Sequence, residues 1–332
     1  MTSRRIVLAA ASASASASAL ALGFGALPAL AANESTITQP GTYNNATVTQ
    51  SGGANGTSTI TQAGGTVSPR VDGLGVAIVT QAGAAINGST ISQLAASIRA
   101  SATVSQSGAG GGTNTSAVTQ DNTKAVASVT QANATGAGTN LATVSQSNNN
   151  GTQDQNALVS QTGGANTATI TQTQTLSLAG VDASIVQLGS NDTATIVQSG
   201  SENLATISQT GNNATMTVTQ TGNNNISTSV RTGNGDLFTV TQSSNGNTSI
   251  ITGSGWGSVI NVLQETSDGN SSTINQNGNG TIANVTQNAP TASISVITQT
   301  GDISTATVLQ SVVGGISTIT QGGSHNTATV NQ

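Results

Sequence analysis

The sequence predicts an all-β protein, a β-solenoid of stacked strand-turn-strand repeats with about 25 strands in about 12 rungs and a cross-β arrangement. Three observations carry that prediction. A glutamine recurs down the whole chain, most often every eleven residues. The residue two before it is Val or Ile in 24 of 25 slots. The segments between glutamines are built from Thr, Ser, Val, Ile, Asn and Gly, which suit short strands and turns.

The unit is clearest from Gln161 to Gln172, with Gly163, Asn166, Ala168 and Ile170 between. Gln198 to Gln209 repeats it with Gly200, Asn203, Ala205 and Ile207, and Gln321 to Gln332 with Gly323, Asn326, Ala328 and Val330. Of 24 intervals, 14 are eleven residues, and from Gln187 onward the only others are two twelves. Arg231 and Gly253 fill the two slots that lack a glutamine. An eleven-residue period also describes a right-handed coiled coil. Recurrent Gly and a mass of β-branched residues exclude it, because they are poor helix formers.

Parity assigns the faces. Counting back from each glutamine, even positions hold Gln, then Val or Ile, then Ala, Ser or Thr, then Asn or Ser; odd positions are mostly Thr and Ser, such as Thr47 and Thr49 or Thr169 and Thr171. Side chains alternate along a strand, so the even set lies inward and the odd set outward. Eleven is odd, and only a turn between units keeps every glutamine on the inner face. The turn pairs Asn55-Gly56, Asn87-Gly88, Asn150-Gly151, Asn245-Gly246, Asp268-Gly269 and Asn277-Gly278 are read as those turns. Pro40, Pro69 and Pro290 also fall between strands, and the long interval from Gln62 to Gln81 reads as a surface loop.

The candidate functional residues are therefore structural. Gln39, Gln50, Gln161, Gln172, Gln187, Gln198, Gln209, Gln220, Gln242, Gln310, Gln321 and Gln332, with Asn44, Asn166, Asn203 and Asn326, form inward ladders in which each amide donates to one neighbouring rung and accepts from the other. A buried amide without partners costs roughly 1 to 3 kcal/mol, so repetition is what makes these residues tolerable. Arg231 in such a slot reads as a local register slip, with an arginine capping the inner edge as the alternative. The last strand, from Asn326 to Gln332, contains neither Pro nor charge and reads as an open edge on which another chain can pair.

Residues 1 to 31 read as a secretory signal: Arg4 and Arg5, an Ala/Leu-rich run, and Ala29-Leu30-Ala31 as a small-x-small cleavage site after Ala31. Residues 32 to 332 are the repeat array. Cysteine is absent, and charged residues are only 5% of the chain, so neither disulfides nor ion pairs hold it broadly together. Arg70, Arg99, Lys124 and Arg231 are scattered singly, which argues against a nucleic-acid partner. His325, the only histidine, lies in a turn with neither thiol nor close carboxylate, so no catalytic set is visible. The acidic residues recur too sparsely for a calcium repeat and read as solubilising charges; no cofactor, metal or small-molecule substrate is called for.

The pattern Gln-x-Gly-x-x-Asn-x-Ala-x-x-x-Gln resembles the curlin repeat of curli, the amyloid fibres of bacterial biofilms. Gln161, Gly163, Asn166, Ala168 and Gln172 match every position, as do Gln39, Gly41, Asn44, Ala46 and Gln50; Gln310 to Gln321 keeps the glutamines but has Val312 and Gly315 at the Gly and Asn positions. The resemblance implies a secreted, non-enzymatic subunit that polymerises with itself at the cell surface and contributes to adhesion and matrix. It also implies an outer-membrane secretion channel and a nucleator subunit as partners. The rival reading is a monomeric secreted solenoid that binds ice or polysaccharide through its outward Thr ladders.

Overall fold

The computed structural model describes residues 6–8, 33–40, 44–51, 56–63, 75–94, 99–109, 111–121, 124–133, 138–148, 154–174 and 180–332. The chain divides into two compact units, Met1–Gly180 and Val181–Gln332. Both are all-β, and within each unit, from β2 onward, consecutive strands alternate between two sheets and strands two apart in the chain pair in parallel; β1 pairs with β2.

In the first unit the strands are β1 (Ile6–Leu8), β2 (Glu34–Thr38), β3 (Asn44–Ser51), β4 (Thr57–Gln62), β5 (Gly75–Gly83), β6 (Ile86–Gln93), β7 (Ser101–Gly108), β8 (Thr113–Asp121), β9 (Ala125–Asn133), β10 (Thr139–Asn148), β11 (Gln155–Gly164) and β12 (Thr167–Gln174). One sheet runs β1-β2-β4-β6-β8-β10-β12 and the other β3-β5-β7-β9-β11. Intervals of twelve to nineteen residues between its glutamines do not disturb register, since Gln50 pairs with Gln81 and Gln120 with Gln146. Extra residues are absorbed between strands, outside the ladder. The proposed loop between Gln62 and Gln81 lies mostly outside the described residues, as do Asn55 and the pair Asn150-Gly151.

The second unit is the more regular. Its strands are β13 (Val181–Ser190), β14 (Thr193–Ser201), β15 (Leu204–Asn212), β16 (Thr215–Asn223), β17 (Ile226–Asn234), β18 (Leu237–Gln242), β19 (Thr248–Trp256), β20 (Val259–Gln264), β21 (Ser271–Gln276), β22 (Ile282–Gln287), β23 (Ile294–Gln299), β24 (Thr305–Gln310), β25 (Ile316–Gln321) and β26 (Thr327–Asn331). Odd-numbered strands form one sheet and even-numbered strands the other. Slot stands on slot throughout: Gln198 pairs with Gln220, Gln220 with Gln242, and Gln242 with Gln264.

The thin core is the inward face that parity predicts. Ala102, Val104, Ala168 and Ile170 in the first unit, and Ala194, Ile196, Ala205 and Ile207 in the second, are completely buried. The alternation of buried and half-exposed positions runs through nearly every strand, for example from Thr193 to Val197 and from Ser271 to Gln276. Such a core is narrow, and hydrogen bonds along and between the sheets must complement it.

The recurrent glycine has a steric reason. Gly200 and Gly211 turn the chain at φ 118° and 137°, and a Cβ there would lie 1.8 Å from the carbonyl oxygen of Gly222 or Gly233 on the next rung. Only glycine admits that approach. Two residues after this glycine, at Asn191, Glu202, Asn213 and Asn224, the chain takes the left-handed conformation with φ of 57–59°, which asparagine tolerates well.

One turn assignment is corrected. Asn87-Gly88 lies inside β6, and the bend falls at Ala84 and Ala85. Asn87 is 3% exposed and accepts a hydrogen bond on Oδ1 from Nδ2 of Asn114 on the next rung, so it is an inward ladder asparagine. Asn245-Gly246, Asp268-Gly269 and Asn277-Gly278 are turns as predicted, and Pro40 and Pro290 lie between strands.

Candidate functional site: the stacked amide ladders

Gln161, Gln172, Gln187, Gln198, Gln209, Gln220, Gln242, Gln310 and Gln321 are buried, and Gln39, Gln50 and Gln332, near the two ends of the array, are half-buried. Along the runs of stacked glutamines Nε2 donates to Oε1 of the glutamine on the next rung, in the N-to-C direction. In the first unit the run is Gln39 to Gln62, Gln62 to Gln93, Gln93 to Gln120, Gln120 to Gln146 and Gln146 to Gln172, at 2.7–3.0 Å. In the second it is Gln198, Gln220, Gln242, Gln264, Gln287 and Gln310, at 2.8–2.9 Å, closing on Gln332 at 3.4 Å.

The second amide proton does something that sequence periodicity did not reveal. It crosses to the opposite sheet and donates to a backbone carbonyl at the first or second residue of the facing strand: Gln198 to Asp182, Gln209 to Thr193, Gln220 to Leu204 and Gln242 to Ile226, at 3.0–3.1 Å. One side chain therefore ties three strands. A primary amide has two donors and one acceptor oxygen, and this geometry uses both donors. Leucine would fill the space and leave the carbonyl of the facing strand without its donor.

The asparagines make two kinds of contact. In the first unit Asn140 donates to Asn114 and Asn114 to Asn87, amide to amide, while Oδ1 of Asn140 accepts the backbone N–H of Asn166 at 3.1 Å. In the second, Oδ1 of Asn203 accepts the backbone N–H of Asn225, Asn225 accepts from Asn247, and Asn247 from Asn270, at 2.9–3.0 Å. The short side chain reaches the main chain of the next rung more readily than the next amide. Asn44 and Asn166 are buried with them, and Asn326 is half-buried with Nδ2 donating to the Gly322 carbonyl at 2.8 Å.

At Arg231 the expectation of a register slip is overturned. Gln209 pairs with Arg231 and Arg231 with Gly253 in unbroken register. Arg231 is 1% exposed, and its guanidinium meets Asp236 in a two-pronged pair, Nε to Oδ2 at 2.8 Å and Nη2 to Oδ1 at 3.0 Å. Nη2 also donates to Ser258 Oγ, and Nη1 to the carbonyl of Gln276, both at 3.0 Å. Gly253 makes the room: a Cβ there would stand 2.3 Å from Nη1. The Phe238 ring lies 5.5 Å from the guanidinium carbon. Its rung carries Ser229 where other rungs have Val or Ile, which offsets the volume of the phenyl ring. The substitution interrupts one ladder, and Oε1 of Gln276 below Gly253 is left without a donor. Residues 229, 231, 236, 238 and 253 each depart from the repeat and together form one buried cluster.

Two carboxylates depart from the solubilising role expected of them. Asp236 is buried with Arg231. Asp192 is also fully buried, and burial pushes its carboxyl up to about 6, although Oδ1 accepts the backbone N–H of Ala214 at 2.9 Å. Asp121, Asp154, Asp182, Asp268 and Asp302 are exposed, in keeping with the expectation.

His325 sits exposed in a turn with φ 62°. The outward threonines stand in rows, Thr195 beside Thr217 and Thr217 beside Thr239, but Asn261 and Asn284 continue the row. Leu237, Val259 and Ile282 interrupt the adjoining row. A flat ice-binding face needs longer uniform rows than these.

The model of the curlin associated repeat family matches residues 31–64, 182–211 and 189–222. No curated protein matches the chain.

Proposed function

We propose that this chain, a curlin-repeat protein, is the structural subunit of an extracellular curli-like fibre. It is exported through its N-terminal 31 residues, cleaved after Ala31, and polymerises with copies of itself at the cell surface, where the fibres serve adhesion and biofilm matrix. An outer-membrane channel and a nucleator subunit are the partners this reading entails. The observation that carries it is the directional glutamine ladder. A rung of the ladder presents amide donors to the rung that follows and acceptor oxygens to the rung before, so it is a template for another of the same kind. Contacts of that polarity are heterologous, and heterologous contacts continue without closing.

The test is incubation of purified chain, with negative-stain microscopy, thioflavin emission and seeding. Unbranched thioflavin-positive fibres whose fragments remove the lag are expected. A chain that remains monomeric by sedimentation for weeks at high concentration, and is not seeded, would refute fibre assembly and favour the monomeric solenoid that binds ice or polysaccharide. Mass spectrometry of extracellular material tests export, with a mature chain beginning at Ala32 as the expected product and retention of residues 1–31 as the contrary one.

A further inference from the structure

Trp256, the only tryptophan in the chain, is 67% exposed at the end of β19. It stands in the turn row that follows the odd-numbered strands, where Asn and Asp otherwise serve a defined purpose. Asn234 Oδ1 accepts the backbone N–H of Asn212 at 2.7 Å, Asn279 Oδ1 that of Trp256 at 2.9 Å, and Asp302 Oδ1 that of Asn279 at 2.8 Å. An indole carries a donor and no acceptor, so Trp256 cannot cap Asn234 in turn. The residue thus breaks a turn ladder and holds a large apolar surface in water. A break in a local rule without structural gain marks a functional position.

We infer that Trp256 and the polar shelf around it bind a neutral, hydroxyl-rich polysaccharide lying along the stack. The C–H faces of a β-linked glucan stack on an exposed indole, and its hydroxyls pair with amides and carboxylates placed beside the ring. Those groups are present: Asn234 on one side, Asn279 and Asp302 on the other, on rungs spaced about 4.8 Å, comparable to the length of one sugar residue. The left-handed turn positions Gly235 and Gly257 carry no side chain, and even an added Cβ there would meet nothing within 4 Å, so the turns beside Trp256 are uncrowded. Charge selects the class of ligand. The chain carries a net charge of −5, Asp302 is exposed on the shelf, and Arg231, the nearest cation in sequence, is buried against Asp236, which disfavours nucleic acid and anionic glycans. The inference does not depend on fibre assembly.

The sole tryptophan is its own reporter. Full chain is titrated with a soluble cello-oligosaccharide while indole emission is followed, and its depletion by insoluble cellulose is measured, for the native sequence, Trp256→Asn, Trp256→Phe and Asp302→Ala. A saturable change in indole emission is expected on titration of the native chain. Trp256→Asn should lose at least tenfold in cellulose binding, with Trp256→Phe intermediate and Asp302→Ala weakened several-fold. Because Trp256→Asn restores the turn cap, its thermal midpoint should equal or exceed that of the native chain. Unchanged binding by Trp256→Asn, absence of any emission response, or a lowered midpoint would each overturn the assignment. So would a Trp256→Asn chain altered in self-association alone, since the indole would then face another protein copy.

Discussion

Replacing Asp236 with Ala is the sharpest perturbation of the second unit. Both members of the pair have side chains at 0% exposure. The substitution removes two charge-assisted hydrogen bonds to Arg231 and the acceptor of the Ser258 backbone N–H at 2.8 Å, while Ser258 Oγ and the Gln276 carbonyl still hold the guanidinium in place. An arginine left buried without its carboxylate costs about 3–5 kcal/mol. At about 2–4 °C per kcal/mol for a unit of this size, the midpoint should fall roughly 10 °C. Replacing both members, Arg231→Gln with Asp236→Asn, removes the charges together and should cost only ~1 kcal/mol, because a buried pair barely outweighs its own desolvation. Denaturation followed by Trp256 fluorescence, one rung from Arg231, reads the effect locally. An Asp236→Ala chain within about 0.5 kcal/mol of the native one, or a double variant worse than the single, would refute the buried-pair account.

Three further expectations follow from the same geometry. Substituting Gln198, Gln209 and Gln220 with Leu should slow assembly far more than substituting the outward Thr195, Thr206 and Thr217 with Ser, since each lost amide orphans a carbonyl on the facing strand and outward hydroxyls can turn to water; equal fibre-growth rates would reverse the face assignment. Ser227, Ser249, Ser272, Ser295 and Ser317 stack in one column with buried hydroxyls that lack partners, so changing Ser249, Ser272 or Ser295 to Ala should stabilise the unit by ~1 kcal/mol each, measured by urea unfolding. Asp192 holds its proton more tightly folded, at about 6, than at its ordinary 3.8. The folded state is therefore favoured as pH falls through 6, with the gain complete below 3.8 and lost as pH rises through 6. Unfolding midpoints at pH 4.5 and 7.5 should differ in that sense, and Asp192→Asn should flatten the difference.

The repeat made most of the fold legible. Parity and the glutamine spacing located the strands, their faces and their register, because one inward slot recurs unit after unit and a slip by one residue would turn it outward. Turn chemistry was less reliable. Asn87-Gly88 has the residues of a hairpin turn, yet its asparagine belongs to the inward ladder, and the bend falls at two alanines that carry no such signal. The Arg231 cluster was visible only as separate anomalies. Nothing in one dimension says that the gap at Gly253 accommodates the side chain of Arg231 from the rung before, or that Asp236, five residues on, turns back to meet it. The crossing of glutamine amides to the facing sheet was likewise hidden, since the carbonyl acceptor belongs to every residue type alike.

Fibre diffraction from aligned assemblies of the chain tests the central claim most directly. If rungs add to rungs in the register of the ladders, a sharp reflection at about 4.7–4.8 Å will lie along the fibre axis and one near 10 Å across it, from the spacing of strands and of sheets. A pattern without the axial reflection, or one with it turned perpendicular to the fibre axis, would contradict stacking along the glutamine ladders.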